Sequence, residues 1–285
     1  MSEKSVTFVE VSGGSEELSV NNYEDKYTVM KPLILITNDD SISAPGLRYL
    51  VDCVKDFGEI YVVAPDEQHS GQSSAFTVSV PLRVTGHEGY EGARVFSVNG
   101  TPVDCVKLAM HHIVPRRPDI VLSGVNHGSN AGNSVIYSGT MGAAFEGAMQ
   151  GIPAVGFSLL HHSIKADFSE CTPWVKAITR MVLENGLPEG VALNVNFPAK
   201  VKIKGVKVVR SARSRWTEEY KEYLDPHGKP FYLLTGDLVN EEPDSDETDL
   251  YWLDRDYASI VPVRADQNAI ETIPALTAEI AGLKV

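Results

Sequence analysis

With 285 residues, a formal net charge of −13, 43% hydrophobic and 22% charged residues, the chain has the composition of a folded globular protein, which excludes disordered, collagen-like and coiled-coil polymers. Its acidic balance repels phosphate backbones and anionic bilayers, so neither a nucleic-acid polymer nor a membrane is expected as a partner, while a small anion can still bind at a locally positive site. Cys53, Cys105 and Cys171 are odd in number and far apart, the pattern of buried free thiols in a reducing compartment; without an apolar leader in Met1–Tyr27 or a run of about 18 apolar residues, the cytoplasm is the expected location.

Residues 1–30 carry many charges and weak strand alternation, and are expected to form an N-terminal extension. The unbroken apolar run of Pro32–Thr37 predicts a strand buried on both faces of a parallel sheet. Pro45-Gly46 then opens a helix with Leu47, Leu50, Val51 and Val54 on one face, stopped by Gly58. The rhythm repeats with strands at Ile60–Ala64, Val95–Val98, Ile120–Ser123, Ala154–Ser158 and Ala192–Val195, and helices at Pro102–His112, Gly139–Gln150 and Trp174–Asn185. Such alternation predicts an α/β fold, a doubly wound and mostly parallel three-layer sheet of Rossmann-like type spanning residues 31–200. Beyond residue 200, short β runs (Val206–Val209, Phe231–Leu234, Ser259–Val263) and the acidic stretch Glu241–Glu247 predict a smaller β-rich C-terminal subdomain or arm over residues 201–285.

In an open parallel sheet, ligands bind beyond the carboxyl ends of the strands. Three oxygen-rich loops follow such ends here: Asn38-Asp39-Asp40-Ser41, Pro65 to Gly71 with Ser70, and Gly124 to Asn130 with Asn126. Adjacent aspartates serve one site only if they lie on a turn, since strand side chains alternate between faces. Asp39 and Asp40 then either cap the helix at Pro45 or, with their mutual repulsion compensated, hold a hard cation such as Mg²⁺, Mn²⁺ or Ca²⁺. Tyr137-Ser138-Gly139-Thr140 precedes a helix rich in small residues; it reads either as an anion site on the helix N-terminus or as a plain N-cap. Thr101-Pro102-Val103-Asp104 reads as a capping box with Pro at the first helical position, and Asp104 is given no catalytic role. The histidines lack metal-ligand spacing, which argues against zinc, and no GxSxG, Walker or GxGxxG signature is present.

Taken together, Ile34 to Asp40, Ala44-Pro45-Gly46, Val62 to Asp66, Ser70-Gly71, Asn99 to Lys107, Ser123-Gly124-Val125-Asn126, Tyr137 to Thr140 with Glu146-Gly147, and the later Asp225-Pro226 and Thr248-Asp249 resemble the SurE family of survival-protein nucleotidases over roughly residues 32–265. The resemblance implies one divalent metal per subunit, Mg²⁺ or Mn²⁺, held by Asp39, Asp40, Ser70 and Asn126, with Asp39 and Asp40 the catalytic pair. It also implies a phosphate received by Ser138, Gly139 and Thr140 with Asn38 and Asn130 nearby. The activity implied is hydrolysis of nucleoside 5'- and 3'-monophosphates, small-molecule nucleotides, with short polyphosphate a further substrate, and a homodimer or homotetramer built by exchange of C-terminal elements. A nucleotide or phosphate sensor that has lost turnover is the alternative, and a metal-stabilised structural protein the third reading. Two departures from the family pattern bear on these expectations: Ser41 replaces the usual Gly after the aspartates, a strained choice if φ there is positive, and His127-Gly128-Ser129 replaces Arg-Gly-Pro.

Overall fold

The computed structural model describes residues 30–283; the expected N-terminal extension falls almost wholly outside them. The first strand, β1 (Leu33–Thr37), is buried along its whole length, as its continuous apolar run requires. After α1 (Pro45–Val54) come β2 (Glu59–Pro65), β3 (Val84–His87), β4 (Ala93–Val98) and α2 (Pro102–Leu108), which runs on through a π-helical turn at Ala109–Ile113. Next are β5 (Ile120–His127), α3 (Gly139–Met149), β6 (Ala154–Leu159), α4 (Thr172–Asn185) and β7 (Val191–Phe197). The C-terminal third holds β8 (Val206–Val208), β9 (Ser214–Thr217), β10 (Tyr220–Leu224), β11 (Pro230–Leu234), β12 (Asp237–Asn240), α5 (Asp249–Leu253), β13 (Ala258–Arg264) and α6 (Ile273–Ala281).

Nine strands form one sheet in the order β3-β4-β2-β1-β5-β6-β7-β13-β8. The six from β4 to β7 run parallel, with β3 antiparallel at one edge and β13 antiparallel against β7. Helices cover both faces: the core beneath α1 and α4 contains Leu47, Leu50, Val54, Val175, Ile178 and Phe157, and the core beneath α2 and α3 contains Cys105, Val106, Met141, Ala143 and Ala144. Strand order reverses between β1 and β5, which flank each other yet are separated in sequence by β2, β3 and β4. In sheets of this kind ligands bind beyond the strand ends at such a switch point, which here means beyond Thr37 and Asn126.

Two features differ from the sequence expectation. The strand expected to end at Ser123 continues to His127, with a register shift between Ser123 and Asn126 against β6; a bulge of this kind re-aims the side chains that follow it. Nor is residue 200 a boundary of the sheet, because β8 and β13 add to its far edge. Among the described residues, β10–β11 and β9–β12 stand apart as two-stranded antiparallel ladders. Every residue of β10 and β11 is exposed, Tyr220, Leu224, Tyr232 and Leu234 included, and α6 buries none of its residues while exposing Ile273, Leu276 and Ile280.

Candidate active site

The rim of the switch-point crevice is built by β1, β2 and β5 at their carboxyl ends and by the start of α3. Asp39 and Asp40 lie on the turn after β1, as service to one site requires. They do not cap α1: its N-cap is Ala44, which makes no side-chain capping bond. Of the two readings of this pair, helix capping is therefore removed.

The turn is strained and braced. Ser41 has φ of +90°, a conformation that favours glycine and costs a residue with a Cβ on the order of 1–3 kcal/mol. Asn38, fully buried, donates from Nδ2 to the Ser41 carbonyl at 2.9 Å, and the Ser41 and Ser43 hydroxyls lie 3.0 Å apart. The Oδ1 of Asn38 is buried without a partner. Close packing fixes what surrounds the turn: a Cβ on Gly46 would come 2.0 Å from the Val125 carbonyl oxygen, so α1 rests directly on β5.

Asp39 points under α3. Its Oδ1 accepts the Thr140 hydroxyl, and a Cβ on Gly139 would stand 2.8 Å from its Cβ. Burial pushes the Asp39 carboxyl up to about 6, the charge of Asp40 adds to the rise, and the Thr140 hydroxyl opposes it. Asp40 is also raised by burial, against the His127 backbone N–H, which donates to its Oδ2 at 3.1 Å. That bond ties Asp40 to the residue beside Asn126, whose Nδ2 is turned to the Gly128 carbonyl at 3.0 Å. The loop after β2 joins through Gln68: its Nε2 donates to Ser70 Oγ at 2.8 Å and reaches Asp40 Oδ1 at 3.4 Å. The His69 backbone N–H donates to the Asp39 carbonyl at 2.8 Å.

Asp39, Asp40, Ser70, Asn126, Gly139 and Thr140 are thus connected within one rim. Ser138 is the N-cap of α3 and accepts the Met141 N–H at 3.0 Å. Asn130 sits deeper. Its Nδ2 donates to Ser158 Oγ at 2.8 Å, its N–H donates to Asn196 Oδ1 at 2.9 Å, and its carbonyl accepts from Asn194 at 2.8 Å. Thr101 and Asp104 form the expected capping box, but Asp104 also accepts from Thr77 N and Thr77 Oγ1, holding the segment downstream of Ser70. At the second family departure, the His127 ring lies edge-on to Phe168 with centroids 5.1 Å apart and Nδ1 3.0 Å from the Ser163 carbonyl.

The site fits a hard cation. Two adjacent carboxylates are raised together by burial, Asp40 against the charges of His127 and His162, and no ion pair with Asp39 or Asp40 is present among the described residues. Between Asp40 and Ser70 stands the amide N–H end of Gln68. No cluster of three His, Cys, Asp or Glu exists among the described residues; what the rim offers a cation is two carboxylates and neutral oxygens, donors of the kind that suit Mg²⁺ or Mn²⁺ better than zinc.

Sequence reasoning missed Gln68, Ser158, Asn194 and Asn196. Asn194 and Asn196 did carry a signal: two amides at period-two spacing on one face of an otherwise apolar strand, each in need of a buried partner.

A family model described as "Survival protein SurE" matches residues 34–218. The chain is 49% identical over 252 residues to a protein of Christiangramia forsetii named 5'-nucleotidase SurE, covering 87% of this chain and 96% of that one. It is 42% identical over 252 residues to 5'-nucleotidase SurE 1 of Thermus thermophilus, covering 88% and 98% respectively. The crystal structure of the SurE protein from Aquifex aeolicus superposes with a TM-score of 0.75 at 33% identity, covering 87% of this chain and all of the other.

Proposed function

The chain belongs to the SurE family of survival proteins, and from that premise we propose that it is a metal-dependent phosphomonoesterase that hydrolyses nucleoside 5'- and 3'-monophosphates, with short polyphosphate as a further substrate. The observation that carries this reading is the buried pair of adjacent carboxylates, Asp39 and Asp40, set against the first turn of α3. Names of relatives support the 5'-nucleotidase part of it.

Asp39, Asp40, Ser70 and Asn126 would hold one Mg²⁺ or Mn²⁺ per subunit. When bound, such a cation neutralises charge on a phosphoryl group and acidifies water. The protein's own groups do the rest. Thr140 fixes the Asp39 carboxylate through its hydroxyl, and Asn38 fixes the turn that presents both aspartates. The start of α3 offers its N-terminal dipole to the phosphate, with Ser138, Gly139 and Thr140 at the contact. Gly139 lets the helix approach Asp39 more closely than any side chain would permit. Asn130, held from beneath by Ser158, Asn194 and Asn196, keeps the adjoining loop in register.

The exposed apolar faces of β10–β11 and α6 support assembly as a homodimer or homotetramer. No helix among the described residues is long and apolar enough to cross a membrane, and the three buried free thiols support a reducing cytoplasm. Phosphate release from nucleoside monophosphates, with metal supplied or chelated, tests the reading. Metal-dependent release supports it, whereas tight nucleotide binding with no release in any metal favours the sensor.

A further inference from the structure

The segment between Asn130 and Ser138 joins the end of β5 to the start of α3, and it is held from two sides, by the loop that carries Ser70 and by the C-terminal third of the chain. It is a 3₁₀ turn, Gly132–Tyr137, that leads directly into the N-cap of α3. On one side Ser73, three residues beyond Ser70, donates its N–H to the Tyr137 carbonyl at 3.0 Å and its hydroxyl to the Ile136 carbonyl at 2.6 Å. On the other side stands Asp249, at the start of α5 and fully buried. Its Oδ2 accepts the Gly132 N–H at 2.8 Å, while its Oδ1 accepts the N–H groups of Ala212 and Leu250, each at 2.8 Å. Ser214, the first residue of β9, accepts the Asn133 N–H at 2.9 Å and takes the Asn133 amide on its carbonyl. Gly132, with φ of +57°, has room for no side chain: a Cβ would meet Ser214 Oγ at 2.5 Å.

A carboxylate with no exposed surface is expensive to bury unless each oxygen is satisfied. Here the satisfaction is divided: one oxygen serves the C-terminal segment and the other serves the active-site turn. We infer that Asp249, assisted by Ser214, is a positioning residue for the phosphate end of the site, acting through Gly132–Tyr137 on Ser138–Thr140 and on the Ser70 loop. The root of the C-terminal ladder is then part of the catalytic unit. This inference rests on the proposed phosphatase reading only for its kinetic consequence.

The test is Asp249→Asn in the full-length protein. The amide keeps the size of the side chain but offers a single acceptor oxygen, which can retain either the Ala212–Leu250 pair or Gly132, not both. The expected result is faster amide hydrogen exchange over residues 132–140, weaker protection of that stretch by inorganic phosphate, and a KM for nucleoside monophosphate raised about tenfold with kcat changed less than about threefold. If Asp249→Asn does not fold, Ser214→Ala takes its place with the same readouts. A fall in Tm with unchanged exchange over 132–140 overturns the inference, as does changed exchange with unchanged KM and phosphate protection. Should the wild-type chain release no phosphate, the functional reading fails on its own account, and exchange with and without inorganic phosphate decides the positioning role.

Discussion

The hydroxyl of Thr140 donates to Oδ1 of Asp39 across 101 residues of sequence, joining the turn after β1 to the first turn of α3. Through that bond the two halves of the rim, the carboxylate pair and the helix that would face the phosphate, share one geometry. Thr140 is fully buried, so Thr140→Val changes little in volume but leaves Asp39 without its donor. Thr140→Val is expected to lower kcat/KM by about 10–100-fold and to weaken Mn²⁺ binding, while Thr140→Ser keeps both near wild type. Steady-state kinetics with Mn²⁺ calorimetry on the two variants checks this; equal losses in both would show that the hydroxyl bond to Asp39 is not what carries the effect.

Gly139 is the companion to that contact. Its missing side chain lets α3 approach to where an added Cβ would lie 2.8 Å from Asp39 Cβ, closer than carbon atoms tolerate. Gly139→Ala should displace Asp39, with activity down by at least about tenfold while Tm falls by only a few degrees, since the shift stays local. A crystal structure or metal titration of the variant with Asp39 unmoved would refute it.

At Ser41 strain and chemistry separate. A residue with φ of +90° gains from losing its Cβ, even though the Ser41 to Ser43 hydroxyl contact goes with it. Ser41→Gly is expected to stabilise the protein by about 1 kcal/mol, read as a rise in Tm of a few degrees. A fall in Tm would show that the hydroxyl contact outweighs the backbone strain.

The metal-free protein should show a specific pH dependence. Asp39 in the folded state titrates at about 6 against an ordinary 3.8, so between these values the native state binds the extra proton. The sign follows: the contribution of Asp39 to stability is fully present below about pH 4, is lost as pH rises from about 4 to about 6, and levels off above, by on the order of 2–3 kcal/mol. The difference in Tm between wild type and Asp39→Asn isolates this contribution. Saturating Mg²⁺ or Mn²⁺ should shift that difference in favour of the wild type, which alone keeps the full ligand set, and a difference that does not vary over that pH range in chelator would count against burial as the cause.

The parts of this fold that one stretch of sequence encodes were legible in it. The run Leu33 to Ile36 predicts β1, the spacing of Leu47, Leu50, Val51 and Val54 predicts α1, and the loop chemistry after β1, β2 and β5 marks the rim on which Gln68 links Asp40 to Ser70 and the His127 N–H ties Asp40 to the end of β5. What was not legible depends on distant partners. The exposed β3 has polar residues and a glycine and exists because β4 offers it an edge. The far edge of the sheet places β13 between β7 and β8, a crossover that no local periodicity encodes. The division of Asp249's oxygens between Gly132 and Ala212 is likewise invisible without the fold. Ser41 is the intermediate case: the choice of serine stands out in the sequence, and only the backbone shows that φ is positive there.

The most direct test of the central claim is inorganic phosphate release from a panel of 5'- and 3'-nucleoside monophosphates, comparing the wild-type chain with Asp39→Asn in Mg²⁺, in Mn²⁺ and in EDTA. The account predicts release by the wild type that requires the metal and is reduced at least about 10³-fold in the variant, with the variant still folded by circular dichroism. Release that persists undiminished in EDTA or in Asp39→Asn, or no release by folded wild-type protein with either metal, would contradict it.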